Sequence, residues 1–283
     1  MKIQSALLWG VEQLQNSSSP RLDAEILLAM ILQISRVQIM LHQDRDLTQD
    51  EWDEFHELIE KRATGYPISY MTGMKEFYGR DFLVQEEILI PRPETEHLIE
   101  TVLEWGKSHK VENVIDIGAG SGAIGITLGL EMSEAHVYAT DISKAAVYMA
   151  TENAKKHHLN RYLVLLGNLA DPLKELDLMG KVDVWVSNPP YIPSNQLQDL
   201  MPDVRDFEPH LALDGGEDGL DFYRALVREA LVFLRPGGLL AFEIGADQGE
   251  AVAELMRKAG FRHVTVVPDL AGLDRVVSGE KEP

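Results

Sequence analysis

Over the first 65 residues the apolar positions recur at helical spacing. The stretch SPRLDAEILLAMILQI follows this pattern behind Ser19, a helix-capping residue type, and Pro20, which suits a first helical position. TQDEWDEFHELIEKRATG repeats it, with a capping box formed by Thr48 and, three residues on, Glu51. It closes on Lys61 and Arg62 before Gly65. No β-rich segment falls in this region, so a small all-α domain is expected over residues 1–73. The pattern then changes. In KEFYGRDFLVQEEILIPRPE, Gly79-Arg80 sits between aromatic and β-branched runs and predicts a β-hairpin linker over 74–92. Pro91 and Pro93 bracket Arg92 ahead of a helix predicted at 94–107. From Val111 onward, strand and helix patterns alternate. NVIDIG, HVYATD, YLVLLG and VDVWVS read as strands, separated by helices at 122–132 and 143–158 in the first two gaps. A helix at 217–234, the strand GGLLAFEIG, a helix from 247 and strand-like runs at 261–267 and 273–278 follow. Near-continuous apolar strands in repeated βα units imply an α/β domain over 93–283, with a mostly parallel seven-stranded sheet covered on both faces.

Two stretches interrupt this regular pattern with chemistry. DIGAGSGAIG places Gly118, Ala119, Gly120, Ser121 and Gly122 between a strand and a helix, where backbone amides can face a ligand at the helix N-terminus. The same residues satisfy a dinucleotide fingerprint, through Gly118, Gly120 and Ala123 or through Gly120, Gly122 and Gly125. Asp141, ending the next strand, can accept both hydroxyls of a ribose, or can cap the helix that follows. The loop therefore points to an adenosine-containing cofactor without saying which.

The second stretch is Asn188-Pro189-Pro190-Tyr191, after the fourth strand. Two prolines end a strand by themselves. If the first and fourth strands flank the point where strand order reverses, however, this tetrapeptide and the glycine loop face one crevice. Asn188 offers a neutral side-chain oxygen and Pro189 a backbone carbonyl, two acceptors able to hold both hydrogens of a planar NH2 group. Tyr191 offers a face for stacking. Such a nitrogen is a weak nucleophile, so positioning about 3–3.5 Å from a sulfonium methyl does much of the catalytic work. That chemistry selects S-adenosylmethionine over a hydride carrier and demands neither a metal nor a dedicated base. The NH2 group could belong to a glutamine or to an adenine.

Composition narrows the choice. With 46 acidic against 26 basic residues the formal net charge is -20. Residues up to 85 hold 8 basic and 13 acidic side chains, and those beyond hold 18 and 33. Neither part carries the basic footprint of phosphate binding, which disfavours a nucleic-acid methyltransferase. There are no cysteines, hence no disulfide framework or thiolate metal site. No apolar run approaches the roughly 20 residues of a membrane span, and the N-terminus lacks a signal-peptide pattern, so the cytoplasm is the expected location. A monomer is expected as well, although nothing in these patterns bears on it. His157-His158 reads as a solvated helix end. Arg92, Glu94 and Thr95 suit either a helix start or a place near the cofactor. Glu208 and Glu243, if buried, require partners.

Together these residues resemble the Rossmann-like S-adenosylmethionine methyltransferases. More narrowly, they resemble the HemK-type protein-glutamine N5-methyltransferases, which modify the Gly-Gly-Gln loop of class 1 peptide chain release factors. FYGRDFLVQEEILIPRPETEHLIE, FEPHLALDGGEDGLDFYRAL, LRPGGLLAFEIGADQGEAV and DLAGLDRVV carry the resemblance along with the two site motifs. It implies that residues 1–73 dock the release factor. It also implies that Gly118 to Gly122, Asp141, Asn168, Leu169 and Asn188 hold the cofactor, and that Asn188, Pro189, Pro190 and Tyr191 form the glutamine pocket. The family more often has an acid at the position of Asn168 and a basic residue at that of Leu273.

Overall fold

The computed structural model describes residues 1–282, which divide into two units, Met1–Met74 with Met201–Phe207, and the remainder. The first unit is helical: α1 (Ile3–Gln13), α2 (Pro20–Leu32), α3 (Arg36–Leu41), α4 (Gln49–Ala63) and α5 (Ile68–Thr72). Ile3, Leu7, Leu27, Leu28, Phe55 and Ile59 meet in its core. The Thr48–Glu51 capping box forms reciprocally, at 3.2 and 2.9 Å. Ser19 occupies the N-cap position of α2, but its hydroxyl makes no cap. It donates instead to the buried Asp23 carboxylate at 3.1 Å, which also takes Ser17 Oγ and Arg62 Nε. A buried carboxylate needs donors more than an exposed helix start needs an acceptor.

A hairpin follows, β1 (Met74–Phe77) and β2 (Arg80–Leu83), which belongs to the second unit from Lys75 onward. Its turn centres on Tyr78 and Gly79, one residue earlier than the Gly79-Arg80 pair expected. Both have positive φ (51° and 71°), as the tight hairpin turn requires. Tyr78 tolerates this conformation because its N–H donates to Glu96 at 2.9 Å while Gly79 N–H donates to Glu76 at 2.6 Å.

After α6 (Glu96–Gly106), the chain alternates as β3 (Asn113–Ile117), α7 (Ala123–Glu131), β4 (His136–Asp141), α8 (Lys144–Lys156), β5 (Tyr162–Leu166) and β6 (Val182–Ser187). A short helix, α9 (Pro202–Arg205), belongs to the segment counted with the first unit. Then come α10 (Asp221–Phe233), β7 (Leu234–Glu243), α11 (Gly249–Lys258), β8 (Phe261–Pro268) and β9 (Asp274–Lys281). The helix expected from residue 217 starts four residues later and yields to strand at Leu234.

The seven strands order as β5-β4-β3-β6-β7-β9-β8, parallel except for β9, which runs antiparallel to both neighbours. Because β3 pairs with β4 on one side and β6 on the other, strand order reverses between β3 and β6. The crevice therefore opens beyond their carboxyl ends. Every residue of β6 is buried, including Trp185, as expected for a central strand covered on both faces.

Candidate active site

A cavity of about 450 Å³ lies at that reversal, a size suited to a small-molecule ligand. It is lined by Gly118, Ala119, Gly120 and Ser121 from the loop after β3, and by Asp141 after β4. Asn168 and Leu169 after β5 join them, with Asn188, Pro189 and Pro190 after β6. Two predicted residues stand outside the lining. Gly122 starts α7, and Tyr191 turns toward Gly245, where a Cβ would stand 3.4 Å from its ring. The Tyr191 carbonyl accepts from Gln248 Nε2 at 2.9 Å, and burial pushes its hydroxyl pKa to about 12.

The glycine loop is built from strand ends. Gly118 and Ala119 N–H both donate to Thr140 O, at 2.9 and 3.0 Å, which pins the turn to β4. Gly118, Gly120 and Gly122 have φ of 78°, 55° and 82°, the left-handed region in which glycine costs least. A Cβ built on Gly118 or Gly120 meets nothing within 4 Å, so packing does not exclude a side chain there. The exclusion comes from backbone conformation and from the cavity these two residues border. Asp141 accepts Gly120 N–H at 2.9 Å on one oxygen and Ser143 N–H at 2.8 Å on the other. Ser143, not Asp141, caps α8, accepting Ala146 N–H at 3.3 Å. Burial raises the Asp141 pKa, while hydrogen bonds from Gly120, Ser143 and Ile142 oppose the rise.

Beneath the loop lies Asp116, with no exposure, accepting Gly125 N–H at 2.9 Å on Oδ2 while Oδ1 has no partner among the described residues. Burial raises its pKa to about 7, Gly125 N–H opposes this and Asp141 adds to it. A carboxyl whose folded pKa exceeds its unfolded value, about 3.9, stabilises the fold below that value and loses its contribution as pH rises toward 7. Asp116→Asn removes this dependence. Urea unfolding should therefore favour the variant over the wild type more at pH 8 than at pH 5. A stability difference equal at the two pH values would contradict the assignment.

Asn153, Ser187 and Thr140 support the site without standing out in the sequence, whereas Arg92 and Thr95, for which a place near the cofactor is one of two expectations, line the cavity. Asn153, fully buried in α8, takes Leu83 N–H at 2.7 Å and donates to Leu83 O and Ser121 O at 2.9 and 2.8 Å, tying the hairpin to the glycine loop. Ser187 Oγ donates to Ile117 O at 2.6 Å and joins the ends of β3 and β6. Thr140 Oγ1 donates to Leu169 O at 2.7 Å, holding Leu169 at a positive φ of 47°. Asn188 Nδ2 donates to Thr95 Oγ1 at 3.4 Å. Glu208 pairs with Arg92, which also borders the cavity, and accepts Ile90 N–H at 3.4 Å. His157 bonds Asp81 O through Nε2 at 3.1 Å and packs on Phe82, so it secures β2. Leu273 is half-exposed in the β8–β9 turn, its N–H held by Asp269 at 3.0 Å.

This sheet order, with a glycine turn after β3 and the carboxyl ends of four strands around one cavity, defines the Rossmann-like methyltransferase class. The PrmC N-terminal domain family matches residues 5–73, and the Methyltransferase small domain family matches 94–202. A release factor glutamine methyltransferase from Bacillus cereus is 43% identical, with full coverage of both chains. One from Moorella thermoacetica is 47% identical over 90% of this chain and 89% of its own. Among solved structures, a methyltransferase from Pyrococcus furiosus has a TM-score of 0.52 at 19% identity, covering 74% of this chain and 92% of that one, and speaks to the fold alone. The chain belongs to the release factor glutamine methyltransferase family.

Proposed function

We propose that the protein methylates the side-chain amide nitrogen, N5, of the glutamine in the Gly-Gly-Gln motif of class 1 peptide chain release factors, with S-adenosylmethionine as donor. The observation that carries this reading is the convergence of Gly118–Ser121, Asp141 and Asn188–Pro190 on one cavity. The residues present suit the donor. Left-handed glycines border the cavity without side chains, and Asp141 presents a carboxylate to a ribose. Asn168 and Leu169 flank the adenine position, and the Asn168 oxygen can replace the acid more usual there as an acceptor. When bound, the donor supplies an electrophilic methyl group.

The chain's own residues do the rest. Asn188 Oδ1 and the Pro189 carbonyl accept the two hydrogens of the substrate amide and so aim its nitrogen at the methyl. Pro189 and Pro190 contribute no N–H groups that would compete for these acceptors. As positive charge develops on the nitrogen, both hydrogen bonds strengthen, which is where catalysis arises, and the acidic methylated cation then loses one of the two protons to water. Pro190 completes the wall of the glutamine pocket, whereas Tyr191, its ring turned toward Gly245, holds the loop through its carbonyl and Gln248.

The match of the PrmC N-terminal domain to residues 5–73 supports assigning release-factor docking to residues 1–73, with 74–92 as linker and 93–283 as the catalytic domain. On this reading the enzyme acts as a cytoplasmic monomer on protein rather than nucleic acid. The excess of 46 acidic over 26 basic residues favours that substrate. No helix among the described residues is long and apolar enough to cross a membrane. Incubation with labelled donor and purified release factor, followed by peptide mass spectrometry, should place the label on the Gly-Gly-Gln peptide. Protein that binds S-adenosylhomocysteine yet leaves that peptide unlabelled would refute the substrate.

A further inference from the structure

An amide side chain such as Asn188 has two ends of nearly equal shape, and only one of them suits the proposed chemistry. Its oxygen must face the substrate NH2, because its own NH2 there would set donor against donor. A fixed neighbour must therefore distinguish the two orientations. Thr95, 4% exposed and itself bordering the cavity, is that neighbour, with its Oγ1 3.4 Å from Asn188 Nδ2. Glu243, at the end of β7 and 1% exposed, is a carboxyl whose ionised form the Thr95 hydroxyl favours.

We infer that Thr95 and Glu243 are positioning residues that set the orientation of the Asn188 amide, turning its nitrogen toward Thr95 and its oxygen toward the substrate. This rests on the reading of Asn188 as the acceptor for the substrate amide. An ionised carboxylate only accepts, so it takes the Thr95 hydrogen. The Thr95 oxygen is then left with lone pairs for the Asn188 NH2. A protonated Glu243 can instead donate to Thr95. The Thr95 hydrogen is then free to point at Asn188, and it favours the amide turned by half a rotation, with NH2 in the cavity. The orientation of the acceptor thus follows the charge of Glu243, two side chains away.

The surroundings of Glu243 suit such a role. Arg275 from β9 and Arg92 ahead of α6 favour its ionised form, whereas Glu94 disfavours it. Tyr191, after β6, and Tyr223 of α10 also face it, and the Tyr223 hydroxyl donates to the Glu243 backbone carbonyl at 2.9 Å. Oε2 has no partner among the described residues. Burial, the largest influence, brings the carboxyl pKa to about 7, with Thr95 and Arg275 holding it down. Both charge states are therefore accessible near neutrality. The ionised fraction, and with it the productive amide orientation, declines as pH falls through this value.

The test uses the full-length enzyme, a purified release factor, and the variants Thr95→Val, Thr95→Ser and Glu243→Gln. S-Adenosylhomocysteine binding by calorimetry is measured alongside kcat, KM and the pH profile of kcat. Thr95→Val should lower kcat about tenfold or more, the equivalent of one net hydrogen bond, with S-adenosylhomocysteine affinity preserved. Thr95→Ser should restore kcat. Wild-type kcat should rise with pH through a single ionisation near 7, and Glu243→Gln should flatten that profile. Unchanged kcat in Thr95→Val, equal losses in the valine and serine variants, or a flat wild-type profile would each overturn the inference. If Thr95→Val fails to fold, the Glu243→Gln profile settles it, since the Asp116 carboxyl is also pushed up to about 7 and only loss of the ionisation in that variant assigns it to Glu243. A wild type that binds S-adenosylhomocysteine but methylates no release factor overturns the proposed function, and this inference with it. Wild-type turnover with insensitive variants overturns the inference alone.

Discussion

Asn188→Ala should lower kcat by roughly 10²–10³-fold, the scale seen when one preorganised polar partner of a developing charge is removed, while S-adenosylhomocysteine binding stays within about threefold. The two effects separate because Asn188 is not what shapes the cavity. The loop after β6 is held by Ser187 Oγ on Ile117 O, by Gln248 Nε2 on Tyr191 O and by two prolines with restricted φ. The cofactor side is held independently, by Thr140 and Asp141 on the glycine loop. Alanine therefore removes one of two acceptors and leaves the frame. The other acceptor, the Pro189 carbonyl, can still hold one substrate hydrogen, but a single hydrogen bond leaves the NH2 group free to rotate about it. Lost aim is a loss in kcat more than in affinity. Steady-state kinetics with a release-factor substrate, beside calorimetry with S-adenosylhomocysteine, would check both halves. Wild-type turnover in the variant would show that two-acceptor positioning is not the mechanism.

How far the sequence foretold the site depended on whether a feature was local. The glycine turn and Asn188-Pro189-Pro190-Tyr191 are contiguous, and each sits at the end of an apolar strand that periodicity reveals, so both were legible along with the α/β order. The strand reversal between β3 and β6 follows from pairing, but alternation alone only allowed it as a condition. The supporting side chains were not legible, because their partners are far along the chain. Asn153 reaches Leu83 across 70 residues, and Arg92 reaches Glu208 across 116. Nothing in the helical pattern of α8 distinguishes a buried asparagine that staples a loop from an exposed one. Glu243 raised a question because an acid inside an apolar strand needs partners, but the answer lay in Thr95, Arg275 and Arg92, on other elements. Ser19 failed as a cap for a similar reason, since the buried Asp23 competes for its hydroxyl.

Asp141→Ala should weaken S-adenosylhomocysteine binding about 100-fold, since charge-assisted hydrogen bonds contribute roughly 1.5–3 kcal/mol each and water replaces part of the loss. Two functions are lost together. The carboxylate orders the loop through Gly120 N–H and the start of α8 through Ser143 N–H, one per oxygen. Its remaining lone pairs, at the cavity wall, are those that a ribose would use. Asp141→Asn separates charge from shape. An asparagine has one acceptor oxygen, so either Gly120 or Ser143 would face an NH2 group, donor against donor, and the loop would lose one of its two ties. The asparagine variant should consequently bind nearly as poorly as the alanine variant, although it preserves volume. Calorimetry on both variants, with kcat at saturating donor as the companion measurement, tests this. Because Asp141 does not reach the acceptor pair after β6, kcat should fall much less than affinity. An asparagine variant that binds like the wild type would mean that the carboxylate serves neither the ribose nor the loop.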